Sequence, residues 1–320
     1  MRAPTQGGPY TEIGTSAGTA YADARVVRDT TYYYVISATN ETGDSAQSAQ
    51  VSTPVLFPSW KHSASLFIIT TPDGANLAAS ASEKNFPVLV RLNADFFDFS
   101  QARTDGGDIR FATSDGVFLA HEIEQWDPAG RAAAIWVRIP LIQGNTKQEI
   151  KMRWGSTDAL NTSSGPAVFN ADNGFVSVLH LDDAVTDSAG STVPVNAGTT
   201  AAAGVVGQCR HFVAGQGINC GIDLRNFPAG SNPHSTGAWF RDNATRNTLL
   251  GWGLSIPQGI VVMQVASPPR LNMNCWGGGN VAGASTIALS QWYHVVHTYK
   301  TGEARLYVNG VLDNLSLIHI

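Results

Sequence analysis

The feature that most constrains this chain is a period-two alternation of apolar and polar residues, interrupted again and again by turn residues. Tyr32, Tyr34 and Ile36 fall on one face of an extended segment, and Tyr33 and Val35 on the other. The runs Phe86–Asn93, Ala132–Ile142, Gln148–Gly155 and Trp292–Val296 also read as strands. Side chains two apart on a strand share a face, so such runs select sheets with one packed side. The 32 glycines and 15 prolines supply the tight turns that short strands need. Asn309–Gly310 is a hairpin pair, because its turn requires positive φ. The expected fold class is all-β, built from β-sandwich domains.

Composition narrows the setting. A length of 320 residues suggests two or three domains. Charged residues make up 14%, below the roughly 25% of an average globular domain. That balance suits extracellular or cell-surface β-domains. The net charge of -5 and the lack of a basic run argue against nucleic acid as a partner. No run of about 18 apolar residues is present, so no membrane span is expected. The first residues lack the apolar core of a signal peptide, so export is inferred from domain type.

Three segments follow along the chain. In residues 1–54, the strand Thr30–Thr39, the Asn40–Ser45 turn and the Ser-rich strand to Thr53 resemble the C-terminal part of a fibronectin type III domain. A full sandwich of that kind needs roughly 100 residues, so a partial copy is expected. Residues 59–165 hold the Phe86–Leu92 strand, the Gly106–Gly116 segment, Glu122–Asp127, Ile135–Pro140 and Met152–Gly155. Together these resemble DUF2341, a domain of unknown function in secreted and surface bacterial proteins. Residues 174–320 end in Trp292–Asp313, where a Trp-Tyr-His-Val-Val strand runs into a Leu-Tyr-Val-Asn-Gly-Val strand. This segment resembles a laminin-G-like or concanavalin A-like jelly roll, truncated at its end. The resemblance implies a glycan or other polysaccharide as partner.

Candidate chemistry is sparse. Glu122 and Glu124 lie two apart on one strand, about 6.5–7 Å at Cα, a separation open to a catalytic carboxylate pair or to a plain solvent-facing pair. The Glu-x-Asp-x-x-Glu signature of laminarinase-type jelly rolls is absent. His180 reads as a half-buried structural histidine. Asp182 and Asp183 after it offer oxygen ligands for the Ca²⁺ that laminin-G-like domains often carry.

Of the eight tryptophans, Trp136, Trp239 and Trp292 sit in strands and are assigned to cores. Trp252 and Trp276 lie among glycines and, with Trp126, are the candidates for stacking on sugar rings. Cys209 and Cys220 flank an expected hairpin with Ala214–Gly215 at its turn. There they are either a disulfide pair or two buried thiols, with Cys275 left over. The leading functional reading is an extracellular polysaccharide-binding module. The alternatives are a glycoside hydrolase acting on a β-glycan such as β-glucan or xylan, and a structural cell-surface protein.

Overall fold

Turn residues cut the alternating runs into short strands, and pairing then decides which parity faces inward. The computed structural model describes the chain except residues 24, 27–29, 54–59, 183, 222, 224–225, 245–246, 255, 257–258, 275–279 and 318–320. Two compact units emerge, Met1–Val193 and Pro194–Ile320.

The first unit opens with five strands of two residues each. β1 (Arg2–Ala3) pairs with β2 (Tyr33–Tyr34), β3 (Thr39–Asn40) and β4 (Gly43–Asp44) close the expected turn, and β5 (Val51–Ser52) returns to β2. The expected face of Tyr32, Tyr34 and Ile36 does not persist, because Tyr32 and Val35 are buried while Ile36 is 75% exposed. Regular pairing ends at Tyr34, and the Ile36 N–H donates to the Ser48 hydroxyl instead of to a strand.

Two antiparallel sheets follow. β6 (His62–Ile69), β7 (Ser82–Asn93), β8 (Arg110–Thr113), β9 (Phe118–Leu119), β10 (His121–Asp127), β11 (Ala132–Gln143) and β12 (Lys147–Trp154) arrange as β10-β11-β7 and β6-β12-β8-β9. One core forms from Leu92, Ile109, Phe111, Ile135, Val137, Ile139, Ile150 and Met152. Full burial of each larger side chain contributes about 1.5–3 kcal/mol. The buried carboxylate of Asp108 fastens one end, accepting from the backbone N–H groups of Arg103, Gly155 and Ser156.

The stretch 164–193 stays with this unit rather than opening the next domain at 174. Phe169 packs edge-on against Trp136 and Phe175, and the Asn173 side chain donates to the carbonyls of Asn85 and Val168. These contacts hold the stretch on the outward side of β11, so the division falls between Val193 and Pro194.

The second unit begins with two small ribbons. β13 (Val195–Ala197), β14 (Thr200–Ala203), β15 (Gln208–His211) and β16 (Gly217–Asn219) pair as β13-β16 and β14-β15. Then come β17 (His234–Arg241), β18 (Asn247–Gly253), β19 (Ile260–Val265), β20 (Leu271–Asn274), β21 (Val281–Ala282), β22 (Trp292–Lys300), β23 (Glu303–Val308) and β24 (Val311–Leu317). They form two four-stranded antiparallel sheets, β17-β22-β23-β24 and β18-β19-β20-β21. Between them lie Phe240, Met263, Val265, Leu271, Met273, Val295, Tyr299 and Leu306, giving the expected jelly-roll sandwich.

Changing Asp108 to Ala strands the buried N–H groups of Gly155 and Ser156 and the partly buried one of Arg103 at once. Each unsatisfied group costs about 1–3 kcal/mol, so urea denaturation should show a loss of at least about 2 kcal/mol. A loss below about 0.5 kcal/mol would contradict this fastening role.

Candidate functional site

Glu122 and Glu124 do come together, but around a third residue. Glu122 stands opposite Trp136 of β11, on the side of the sheet away from the core. His180 descends between the carboxylates, its Nε2 3.0 Å from Glu122 Oε2 and its Nδ1 3.4 Å from Glu124 Oε2. The Ser188 hydroxyl donates to Glu122 Oε1 at 2.5 Å, and the Trp136 indole N–H donates to Glu124 Oε2 at 2.6 Å. The imidazole stacks nearly parallel to Trp136 and meets Phe169 edge-on. Gly165 permits this closeness, since a Cβ there would lie 2.7 Å from Glu122 Oε1 and from the Ser188 carbonyl.

Burial sets the electrostatics. It raises Glu124 above the ordinary carboxylate range, against the pull of the His180 charge and the Trp136 hydrogen bond. For His180, burial acts to lower the pKa, but the Glu122 hydrogen bond and the charges of Glu124, Glu122 and Asp182 outweigh it, and the net shift is upward. A carboxylate pair that cleaves a glycoside holds the sugar between its members. Here an imidazole lies between the two carboxylates, and its contacts latch 164–193 onto β10 and β11.

The other expected site residues disperse. Trp126 turns inward, because a bulge between Ile123 and Gln125 reverses the parity of β10. Its ring packs on Phe97 and Phe99, and Gly106 gives it room. Trp252 stands in β18 rather than in a loop, and its indole N–H donates to Thr236 Oγ1 at 3.0 Å. That bond joins the two sheets of the second unit, so Trp252 belongs to the inside of the sandwich. Trp276 and Cys275 lie outside the described residues.

Asp182 caps a turn, its Oδ1 accepting from the N–H groups of Ala184 and Val185. Asp183 lies outside the described residues. Among the described residues no group of three or more His, Cys, Asp or Glu side chains could hold a metal ion.

The Cys209–Cys220 hairpin does not form. β15 pairs with β14 and β16 with β13, so Cys209 sits in one ribbon, Cys220 follows the end of the other, and the two are not joined to each other. The Cys209 thiol donates to the Ala203 carbonyl, and burial raises its pKa.

The second unit presents a different surface. In β17 the inward parity is Thr236, Ala238 and Phe240, which turns Ser235, Gly237, Trp239 and Arg241 outward. Trp239 opposes His294 and Arg241 opposes Trp292 across the strand pair. Trp239 is 49% exposed, with its ring centroid 5.0 Å from that of His294. The Arg241 guanidinium lies 5.4 Å from the centre of the Trp292 ring. Tyr307 and Arg305 continue the same face on β23. Burial lowers the pKa of His294, so the imidazole is neutral near pH 7, with one donor and one acceptor nitrogen. Sequence reasoning placed Trp239 and Trp292 in the core. The legible signal was the company of Trp239 on its own parity, namely Ser235, Gly237 and Arg241.

Residues 105–189 match the family model described as Domain of unknown function (DUF2341), and residues 216–316 match the Concanavalin A-like lectin/glucanases superfamily. The chain thus carries a DUF2341 domain followed by a concanavalin A-like domain. The carboxylate–histidine latch lies in the first match and the aromatic face in the second. No curated protein matches the chain. A crystal structure from Bacteroides ovatus ATCC 8483, provisionally described as a carbohydrate binding protein, aligns at 12% identity with a TM-score of 0.25. The alignment covers 75% of this chain and 66%, just under two thirds, of that one, and likeness at this level carries no argument. Among the described residues no helix is long and apolar enough to cross a membrane.

The latch has a pH signature. A histidine whose folded pKa is raised stabilises fully below its unfolded value near 6.5, and that contribution fades as pH rises through the folded value. The raised Glu124 acts in the same direction at lower pH. Stability of the first unit should therefore decline as pH climbs above the ordinary histidine range, and His180→Gln should flatten that decline. NMR titration of His180 gives the direct check, and a midpoint below 6.5 would contradict the latch.

Proposed function

We propose that this chain is an extracellular glycan-binding protein. Its concanavalin A-like domain holds polysaccharide against the outward face of β17, β22 and β23. The observation that carries the reading is Trp239, an indole 49% exposed on the outward face of the edge strand β17, in a domain that matches a lectin/glucanase superfamily.

Fully burying a large apolar side chain is worth about 1.5–3 kcal/mol, which a half-exposed indole leaves partly unrealised. A pyranose offers a flat apolar face of C–H groups with hydroxyls around its edge. Laid on Trp239, it covers the ring while its edge meets hydrogen-bonding groups. Arg241 donates, neutral His294 donates and accepts, and Tyr307 carries a phenolic hydroxyl. The nearest outward side chains to Trp239 on β17 and β22 include Ser235, Arg241 and His294, so the aromatic sits beside polar readers, while the exposed Leu312 and Leu315 lie at the far edge of the same face on β24.

Hydrolysis would require a carboxylate pair open to a sugar ring. Glu122 and Glu124 are bridged by His180, which favours binding without turnover. The extracellular setting rests on the low charge content and on the surface-protein company that DUF2341 domains keep.

Intrinsic tryptophan fluorescence during titration with soluble β-glucan, xylan, mannan, polygalacturonate and alginate tests the reading. At least one should bind without release of reducing ends. Trp239→Ala should lower that affinity about tenfold or more with circular dichroism unchanged, the size of a binding hot spot. Trp252→Ala should instead lower thermal stability, through loss of the inter-sheet hydrogen bond. Silence across the panel, or full affinity in Trp239→Ala, would end the proposal.

A further inference from the structure

The overall charge conceals a division between the two units. Residues 1–193 carry 13 Lys and Arg against 21 Asp and Glu, while residues 194–320 carry 7 against 4. A chain of net charge -5 is therefore an acidic unit of formal charge −8 joined to a basic one of +3.

Much of the basic charge of the second unit gathers on the face that holds Trp239. Arg241, Lys300 and Arg305 all fall on the outward parity of β17, β22 and β23. The acidic side chains offset them only in part. Asp242 is buried, accepting from Ala244 N–H and the Asn247 amide. Asp313 is held by the N–H groups of Ala284 and Ser285. Asp223 lies on none of these strands. Glu303 shares the face and pairs with Arg305 at 2.5 Å, which cancels one positive charge and leaves Arg241 and Lys300 to give the face its net positive charge. Arg241 has no ion pair among the described residues and rests on the Trp292 ring.

We infer that the glycan held on this face is anionic, carrying ring carboxylates or sulfates. The inference rests on the glycan-binding reading and specifies its chemistry. Arg241 and Trp239 are two apart on one strand, so their Cα atoms lie about 6.5–7 Å from each other on a shared face. A sugar ring stacked on Trp239 has its acidic substituent at its edge, within reach of a guanidinium one row away. A guanidinium matches a carboxylate or sulfate with paired N–H donors in a fixed fork. Its seat on Trp292 limits the freedom lost when the anion arrives. A neutral glucan would leave this charge without a counterpart.

The test uses the full chain, with calorimetric titration at about 20 mM and about 300 mM NaCl, where screening lengths differ severalfold. The probes are oligogalacturonate for carboxylate, dextran sulfate for sulfate, cellohexaose and xylohexaose as neutral sugars, and poly-L-glutamate as a polyanion without sugar rings. One or both anionic glycans should bind about tenfold or more tightly than the neutral sugars and than polyglutamate, and weaken severalfold at the higher salt. The stronger of the two identifies the acidic group. Arg241→Gln should lose about tenfold on that glycan, while Trp239→Ala weakens it regardless of salt. If Arg241→Gln misfolds, the ranking and salt dependence of the unaltered chain still decide.

Neutral oligosaccharides binding as tightly as the anionic ones would overturn this inference and leave the glycan reading standing. Polyglutamate equal to the anionic glycans would overturn it by showing charge attraction without sugar recognition. No binding by any glycan would overturn both.

Discussion

The pairing of β17 with β22 holds Phe240 opposite Tyr293 and Trp239 opposite His294, and that one register decides what the second unit shows to solvent. A slip of one residue would exchange the faces, burying Trp239 and Arg241 and exposing Phe240. Several contacts hold the register. Phe240, Val295, Tyr299 and Leu306 join one core, and His297 is buried on the same parity, where burial and the nearby His234 push its pKa down to about 4. The Trp252–Thr236 hydrogen bond ties the facing sheet to β17 from within. Gly237 sits against Val296 so closely that a Cβ would come within 3.2 Å of its side chain and of the Val295 carbonyl. The shelf beside Trp239 is therefore low, and the indole stands above it.

The first unit solves a different problem. The outward side of β11 carries Trp136, which needs cover, and the stretch 164–193 provides it. Phe169 supplies the apolar part of that cover, and His180 supplies the polar part by satisfying two carboxylates that would otherwise be buried at a cost. Serine and indole donors complete the network, so the charges are paired and hydrogen-bonded. Such an arrangement rewards specificity of docking more than raw stability.

Much of the architecture was legible because alternation and turn chemistry are local. Asn309 takes φ 52° and Gly310 φ 81°, as a tight hairpin between β23 and β24 demands. The sandwich class, the succession of the two matched domains and the closeness of Glu122 to Glu124 could all be read from strand patterns. What could not be read depended on partners distant in sequence. The bulge in β10 reverses the direction of Trp126, and nothing local announces it. Trp252 among glycines looks like a loop residue until its strand pairs with β19. Trp239 and Phe240 are adjacent and both large, so alternation alone leaves open which one faces inward. The hairpin drawn for Cys209 and Cys220 failed for a related reason. Both of its arms found other strands, β14 and β13, whose pairing no turn signal within the segment reveals.

The central claim is that polysaccharide lies on the outward face of β17 and β22. Hydroxyl-radical footprinting of the full chain, read by mass spectrometry residue by residue with and without the bound polysaccharide, examines this most directly. Oxidation of Trp239 and Trp292 should fall severalfold on binding, while Trp252, Trp126 and Trp154 are unchanged. Protection concentrated on the first unit, for example on the exposed Phe96, with Trp239 oxidised as before, would contradict it.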